Sequence, residues 1–393
     1  MNRQWVFVAA ILFAGCGGHS GGFKHDLDFL KKYDTGLVVL RSGDAEVVVS
    51  PKYQGKVFTS TASGDGGTSF GWVHYKAFDT TDAHMNGYGG EDRLWLGPEG
   101  GKYSLFFPPD AKMEFANWKT PAVFDTEAWH VAERSDSAVM LKKEMSLKNY
   151  ANTPLQLRID RKVVILSNGG IGALLGITTA DVEAVGYSTV NTLTNTGPVA
   201  WTDSTGMPCL WLLDMFNPSK VTTIVIPYTT AAGDSGKPAT TDYFGEIPSD
   251  RIQYLGGALY FKADGHSRGK LGMHPTRAKS VAGSYDAEQH ILTIISFDVD
   301  PQARYLNQEW NTVKPPFSGD AVNAYNDGPL ADGSQMGPFY ELESVSPAAS
   351  LASGQSLTHR HSVFHFTGDE EKLDGICRTV LGVSIERIRT AIP

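Results

Sequence analysis

Two strand-like segments near the C-terminus carry the residue types that acid/base chemistry needs. Alternation along the first segment places Glu341 and Glu343 on one face of a strand. The same alternation groups His359 with His361 on the second segment, and His365 joins them if that strand is regular. A carboxylate that faces a histidine can exchange protons near neutral pH. The pattern predicts an acid/base site with Glu343, His359 and His361 as its catalytic residues.

Two other interpretations of these residues stay open. Both faces could belong to the solvent side of an ordinary sheet. Alternatively, His359 and His361, in a His-x-His motif, could bind a transition metal together with a carboxylate. Arg360 lies between the two histidines and adds positive charge, which disfavours a cation. We therefore expect no metal ion and no cofactor.

A second polar and aromatic cluster lies in "NGYGGEDRLWLGPEGGKYSLFF", from Asn86 to Phe107. Its glycines permit an irregular backbone, and Glu91, Arg93 and Trp95 follow them directly. Charged groups that bind hydroxyls, beside aromatic faces that cover C–H surfaces, suit a neutral polyol. No helix follows and no Lys-Ser or Lys-Thr closes the loop, so it is not a phosphate loop. An ion pair that only stabilises the loop is the competing interpretation.

The composition limits the classes of partner and of fold. The chain has 393 residues and a net charge of −9, which argues against nucleic acid because nucleic-acid binding needs clustered Lys and Arg. Segments rich in β-branched residues recur between turn residues, without alternating helices, and this spacing predicts an all-β sandwich or barrel of antiparallel strands. The segments 26–33 and 369–390 have helical periodicity. The second predicts a short C-terminal helix that packs on the sheet.

The N-terminal residues have the pattern of an export signal. Arg3 precedes the short apolar run Trp5 to Phe13, small residues follow, and then Cys16. We predict a signal peptide over residues 1–15, a lipidated Cys16 with a flexible tether over 16–22, and one β-sandwich domain over 23–393. Plain secretion and a buried N-terminal strand are the alternatives. Cys209 and Cys377 could pair in an exported compartment, but their spacing does not decide this.

Several segments resemble the aldose 1-epimerases, or galactose mutarotases, and their superfamily. The best match is the order of Leu342 to Val345, Pro347-Ala348 and Ser353 to Gln355, which is similar to the last strands of those enzymes. Val190 to Trp201 is similar to their mid-chain strand, and Ser50 to Gly64 to their opening strands. "YGGEDRLWLGPEGG" and "YNDGP" resemble a group of bacterial lipoproteins of unassigned activity in the same superfamily.

This resemblance implies an antiparallel β-supersandwich with a sugar cleft on a concave face. In the epimerases, a glutamate removes the proton of the anomeric hydroxyl while a histidine protonates the ring oxygen. Glu343 matches that glutamate, and Arg93 corresponds more loosely to a sugar-binding arginine. The histidine does not carry over, because the corresponding segment "CLWLLDMFNP" contains Asp214 but no histidine. His84, His359 or His361 would have to replace it.

The predicted cleft therefore combines residues from several segments. Its expected sugar-binding residues are Arg93, Glu91, Trp95, His84, Asn326, Asp327 and Asp214. Three functions compete: an isomerase or related sugar enzyme, a glycan-binding lipoprotein without catalysis, and a structural envelope protein. We expect a mono- or oligosaccharide ligand, a membrane partner through the N-terminal lipid, and a location in the cell envelope, either periplasmic or associated with the outer membrane.

Overall fold

The structure is a computed structural model, and it describes residues 22–230 and 236–392. The predicted signal peptide and the predicted lipidation site, Cys16, lie outside the described residues. No helix in the described ranges is both long and apolar enough to cross a membrane.

The described residues form eighteen strands, numbered here in chain order. The first nine are β1 (Val38–Ser42), β2 (Ala45–Ser50), β3 (Lys56–Thr61), β4 (Arg93–Gly97), β5 (His130–Arg134), β6 (Ala138–Lys148), β7 (Pro154–Ile165), β8 (Val182–Asn195) and β9 (Cys209–Phe216). The other nine are β10 (Thr223–Pro227), β11 (Ile252–Leu255), β12 (Ala258–Lys262), β13 (Gly269–Met273), β14 (Val281–Asp286), β15 (Ile291–Phe297), β16 (Val322–Asn326), β17 (Tyr340–Val345) and β18 (Ser356–Gly368).

These strands form three antiparallel sheets. A ten-stranded sheet has the order β11-β12-β10-β14-β15-β18-β8-β7-β6-β5, a five-stranded sheet has the order β13-β16-β17-β9-β4, and β1-β2-β3 form a small third sheet. The two larger sheets bury apolar side chains against each other, such as Leu212 and Leu342 of the five-stranded sheet and Val163 and Val363 of the ten-stranded one. The predicted all-β antiparallel sandwich is confirmed.

Within the described ranges, four α-helices accompany the sheets: α1 (Phe23–Tyr33), α2 (Asn168–Leu175), α3 (Glu370–Val380) and α4 (Ile385–Ala391). The predicted C-terminal helix is therefore two helices. Gly382 adopts a φ of +74° between them, a conformation that glycine tolerates and that ends a helix. Ser384 then caps α4 by accepting a hydrogen bond from the backbone of Arg387. Both helices pack on the outer face of the ten-stranded sheet, as predicted for a packing role.

The two segments with the predicted acid/base residues belong to different sheets. The carboxylates are on β17, in the five-stranded sheet, whereas the histidines are on β18, in the ten-stranded sheet. The segment 346–355 carries the chain from one sheet to the other. Ser344 of β17 points towards β18, since its Oγ lies 2.9 Å from a ring nitrogen of both His359 and His361. The neighbouring Glu343 therefore points away from β18.

The disulfide that the sequence left open is absent from the described residues. Cys209 and Cys377 are both free and buried. Cys209 belongs to the core between the two larger sheets, and Cys377 lies on α3 against the outer face of the ten-stranded sheet. Burial raises the pKa of both thiols to about 12, so they are unreactive.

Candidate functional site

The outward face of the five-stranded sheet brings polar side chains of five strands together. Its register aligns two rows across neighbouring strands. The first row contains Asn323, Glu343, Leu213 and Arg93, and the second contains Lys270, Tyr325, Glu341 and Met215. Trp211 and Trp95 are paired two residues further along. Side chains in register and at alternate positions share one face, and this face forms the floor of a cleft.

The cleft consists of two adjoining cavities. One has a volume of about 260 Å³ and the other of about 600 Å³. They share Glu99, Phe115, Phe244, Arg268, Lys270 and Trp310. The first is also lined by Asp82, His84, Met85, Arg93, Trp95, Trp118, Trp211, Leu213, Met215, Tyr325, Met336, Phe339 and Glu341. Three predicted sugar-binding residues, Arg93, Trp95 and His84, thus line one cavity.

An ion pair occupies the floor of the first cavity. Arg93 donates from Nη2 to Oε1 of Glu341 over 2.6 Å, and the two side chains are 6% and 8% exposed. The Arg93 guanidinium also lies 4.8 Å from the Trp95 ring centre, a favourable cation–π distance. Burial raises the pKa of Glu341 above its ordinary value, and Glu343 adds to the rise while Arg93 and Lys270 oppose it. Glu341 is therefore a carboxyl group that can change protonation near neutrality.

Glu343 faces the same side of the sheet, but its carboxylate is covered. Its Oε2 accepts from the Trp211 indole over 2.8 Å and from Lys270 over 3.0 Å, and its side chain is fully buried. Burial alone would lower the pKa of Lys270, but Glu343, Glu99 and Glu341 together raise it. Glu343 thus lies beneath the residues that line the cleft, whereas its neighbour Glu341 lines it. The predicted role of Glu343 as a base stays a prediction.

Glu99 is a further carboxyl group at the cleft. Burial raises the pKa of Glu99, and Lys270 and the Trp310 indole oppose that rise. The carboxyl groups of Glu99 and Glu341 line the cleft together with the cations Arg93, Arg268 and Lys270. Burial raises the pKa of both carboxyl groups and thus favours retention of a proton.

Stacked rings form one side of the cleft, called here the aromatic wall: His84, Phe115, Trp118 and Trp310. Neighbouring ring centres lie 4.3, 6.1 and 6.0 Å apart along this series. The Nδ1 of His84 lies 2.6 Å from the Trp118 carbonyl oxygen. Because a carbonyl oxygen only accepts, Nδ1 carries the ring proton and donates it. In the neutral ring, Nε2 is then unprotonated and can accept a hydrogen bond. Three of the six exposed large apolar residues in the described ranges, Phe115, Phe244 and Leu330, line the two cavities.

The structure does not bring His359 and His361 to this cleft, which corrects the expectation that they line it. Both histidines are fully buried between the two larger sheets. His361 contacts the Oδ2 of Asp214 through Nε2 at 2.8 Å, so Asp214 also points inward and not into the cleft. The physical reason is alternation on β9 and β17, which turns Asp214 and Ser344 towards β18 and turns Leu213 and Glu343 away.

Three further predicted residues also lie outside the cleft. Glu91 is fully buried and contacts Ser60 at 2.6 Å and His365 at 3.1 Å. Asn326 accepts from the backbone of Gly265. Asp327 accepts from Tyr325 Oη and from the backbone of Gly337. These contacts hold loops and the interior together, so the structure places all three residues outside the cleft, and their predicted role in sugar binding stays a prediction.

Sequence patterns found some of the cleft residues and missed others. Alternation in "CLWLLDMF" places Trp211, Leu213 and Met215 on one face, and this signal would have added Trp211 to the site. Lys270 and Trp310 have no local motif. Lys270 reaches the cleft from β13, at one edge of the five-stranded sheet. Trp310 reaches it from a loop in which the Gln308 carbonyl accepts from the backbone of Gly100.

One group of residues has donor atoms placed for a metal ion. Asp92, Asp214 and His361 each offer one ligand atom, and these atoms lie within 4.8 Å of one another. All three residues are fully buried on the inner side of the sheet. They therefore form a site distinct from the cleft.

Comparisons with known proteins agree with this architecture. The chain is similar in structure to a protein of Escherichia coli described as a putative aldose 1-epimerase, with 14% identity, a TM-score of 0.50, and coverage of 84% of this chain and 98% of that one. It is also similar to a galactose mutarotase-like protein from Lactobacillus casei, with 12% identity, a TM-score of 0.50, and coverage of 84% and 100%.

These similarities show the fold, which is galactose mutarotase-like, as the sequence resemblance predicted. No curated protein sequence matches the chain significantly. Residues 21–392 match a sequence family described as a family of unknown function, DUF6786. Since this match covers nearly the whole chain, the protein belongs to the DUF6786 family.

Proposed function

We propose that the cleft on the outward face of the five-stranded sheet binds a carbohydrate. The observation that carries this proposal is the Arg93–Glu341 pair on the floor of a cavity beside the aromatic wall. Hydroxyl groups of a sugar can bind both members of a charged pair, because a hydroxyl is both a donor and an acceptor. Aromatic faces cover the C–H surfaces of the same ring.

The exposed aromatic residues support the same ligand class. Phe115 is 61% exposed and Phe244 is 44% exposed, and both line the cleft. Large apolar side chains exposed at a cavity commonly mark a binding surface. The charged floor disfavours a purely apolar ligand, since burial of Arg93, Lys270 and three carboxylates against hydrocarbon would leave polar groups unsatisfied.

We propose further that any anomeric chemistry uses Glu341 and His84. Both line the first cavity, and His84 is the only histidine among the described residues that does. Glu341 would accept the proton of the anomeric hydroxyl, and a protonated His84 would give a proton to the ring oxygen as the C1–O bond of the ring breaks. Ring closure on the other face reverses both transfers, so protons balance over one cycle. A binding protein without catalysis is the alternative, and the Glu341–Arg93 ion pair favours it.

Proton NMR tests binding and chemistry in the same sample. The protein is mixed with a panel of reducing sugars, one anomeric signal is saturated, and transfer to the other anomer is measured. Line broadening reports binding. Accelerated exchange that is lost in Glu341→Gln and in His84→Gln supports an epimerase, and broadening without acceleration supports a binding protein. Glu288→Gln, at an exposed acidic residue, is the matched control. No response to any monosaccharide or oligosaccharide would contradict the proposal.

We also propose that the protein is exported and lipid-anchored through Cys16. Support comes from the N-terminal pattern of Arg3, the apolar run Trp5 to Phe13 and the small residues before Cys16. Labelling with a fatty acid in a bacterial host tests this. Wild-type protein should incorporate label and fractionate with membranes, whereas Cys16→Ala should do neither. Label in Cys16→Ala, or none in wild type, would contradict the anchor.

A further inference from the structure

We propose that the protein holds one divalent transition-metal ion between its two larger sheets, bound by Asp92, Asp214 and His361. This site lies on the inner side of the five-stranded sheet, and it is independent of the carbohydrate cleft. It also departs from the absence of metal that we expected from the sequence.

The free oxygens of the two aspartates point to a missing partner. Asp92 Oδ2 and Asp214 Oδ1 are buried and have no hydrogen-bond partner. Both residues are fully buried, and a buried carboxylate oxygen without a partner is strongly unfavourable. The donor atoms of Asp92, Asp214 and His361 lie within 4.8 Å of one another. One cation with bonds of about 2.0 to 2.6 Å could contact all three after a small contraction.

The other atoms of these residues are already oriented by neighbours. Asp92 Oδ1 accepts from Arg161 Nη2 over 2.8 Å. His361 Nδ1 lies 2.9 Å from Ser344 Oγ, and a proton on Nδ1 would leave the Nε2 lone pair directed at Asp214. Outer contacts that fix ligand orientation in this way are typical of protein metal sites.

The contact between His361 Nε2 and Asp214 Oδ2 needs either a shared proton or a cation beside both atoms. These atoms are 2.8 Å apart, and a lone pair facing a carboxylate at that distance would be repulsive. A proton would satisfy only the contact between His361 and Asp214. Asp92 Oδ2 and Asp214 Oδ1 would remain without a partner. A metal ion satisfies both oxygens and the imidazole together, so the geometry favours the metal.

The donor set indicates the class of metal. One imidazole with two carboxylates suits zinc and other first-row divalent ions, whereas calcium prefers oxygen ligands alone. The three ligands come from the residue before β4, from β9 and from β18. A bound ion would therefore join both sheets directly beneath Arg93. Because the site is fully buried, the ion would enter during folding.

The metal content of the natively purified protein tests the proposal. The full chain is produced in medium supplemented with Zn²⁺ and, in parallel, with Mn²⁺, then dialysed against EDTA and measured by inductively coupled plasma mass spectrometry. We expect close to one metal ion per chain in one of the two preparations. Fewer than one ion per ten chains in both would overturn the proposal. Anomalous scattering from crystals should place the ion between the three donors, and a peak elsewhere would also overturn it.

Variants separate this site from surface binding. Asp92→Asn and Asp214→Asn should reduce the metal content at least tenfold. Asp264→Asn is the matched control, because Asp264 is also buried but pairs with Arg251 on another part of the molecule, and it should keep the metal. If the site variants do not fold, the wild-type stoichiometry and the anomalous peak decide. Equal metal content in Asp214→Asn and wild type would contradict the assignment.

Discussion

The two faces of the five-stranded sheet carry similar residue types in different environments. The outward face has carboxylates and cations beside exposed aromatic rings, and a ligand can reach Glu341 and Arg93. The inward face has Asp214 and Ser344, and these contact His361 and His359 out of reach of solvent. One-residue steps along β9 and β17 separate the two environments. The residue types are therefore not enough to identify the binding site in this molecule. The face of the strand on which a residue lies decides whether a ligand can reach it.

The largest expected effect is on the inward face. Arg161 is fully buried and binds Asp92, Asn191 and the carbonyl of Gly55. Arg161→Leu should lower the free energy of unfolding by about 3 to 5 kcal/mol, because it leaves Asp92 Oδ1, Asn191 Oδ1 and the Gly55 carbonyl buried without their charged donor. Urea unfolding monitored by circular dichroism measures this.

The control for that substitution is Arg360→Leu, which removes an exposed arginine of β18 that pairs with Asp298 at the surface. It should change the free energy of unfolding little. A loss below about 1 kcal/mol in Arg161→Leu would mean that the inward polar groups are not stabilised as a connected cluster.

Two buried lysines near the cleft differ in their charged neighbours. Lys270 has three carboxylate neighbours. Lys56 donates to the carbonyl of Gly89 and lies over two aromatic rings, and the Asp125 carboxylate raises its pKa less than burial and Arg93 lower it. Burial and Arg93 lower the pKa of Lys56 to about 7 from 10.5. The folded state thus binds fewer protons than the unfolded state between about pH 7 and 10.5, and wild-type stability from this group rises with pH across that window.

Lys56→Met should therefore stabilise the protein, most at pH 7 or below and least near pH 10. Lys270→Met should destabilise it by about 3 kcal/mol, because Glu343 would lose its cation. Urea unfolding at several pH values measures both effects. Destabilisation by Lys56→Met at pH 7, or a gain that grows with pH, would contradict the conclusion that burial of the charged Lys56 costs more than its contacts recover.

The sequence predicted the fold better than it predicted the site. Alternation correctly placed Glu341 with Glu343, and His359 with His361, because period-two patterning depends only on local geometry. It could not show that the segment 346–355 crosses between sheets, so the two pairs were expected to meet. Lys270 could not be found, because its position depends on the pairing of β13 with β16 and not on a motif.

The two glutamates of β17 should differ in their effect on binding. Glu341→Gln should weaken carbohydrate binding by about 10- to 100-fold, since a charge-assisted hydrogen bond to the ligand is lost. Glu343→Gln should weaken it less and should lower stability instead, because Glu343 is covered and binds Lys270. Isothermal titration calorimetry and urea unfolding separate the two effects. If Glu343→Gln weakened binding more than Glu341→Gln, Glu343 and not Glu341 would be the ligand-binding residue.

The smallest expected effect is at the exposed end of the aromatic wall. Phe115→Ala should leave the free energy of unfolding within about 0.5 kcal/mol of wild type, because the ring is 61% exposed. It should weaken carbohydrate binding about 3- to 10-fold through lost ring contact. Leu174→Ala, at another exposed apolar residue, should leave binding unchanged. Equal affinities of Phe115→Ala and wild type would exclude the aromatic wall from the binding surface.

The indole N–H signals of the tryptophans report whether a carbohydrate binds in the cleft. Trp118 and Trp310 line the cleft, whereas Trp129 and Trp201 lie in the buried core. In ¹H–¹⁵N spectra recorded during titration with the sugar that binds most tightly, the signals of Trp118 and Trp310 should shift with saturation. Those of Trp129 and Trp201 should stay fixed. Saturable binding without a shift of either cleft signal would contradict carbohydrate binding in the cleft on the five-stranded sheet.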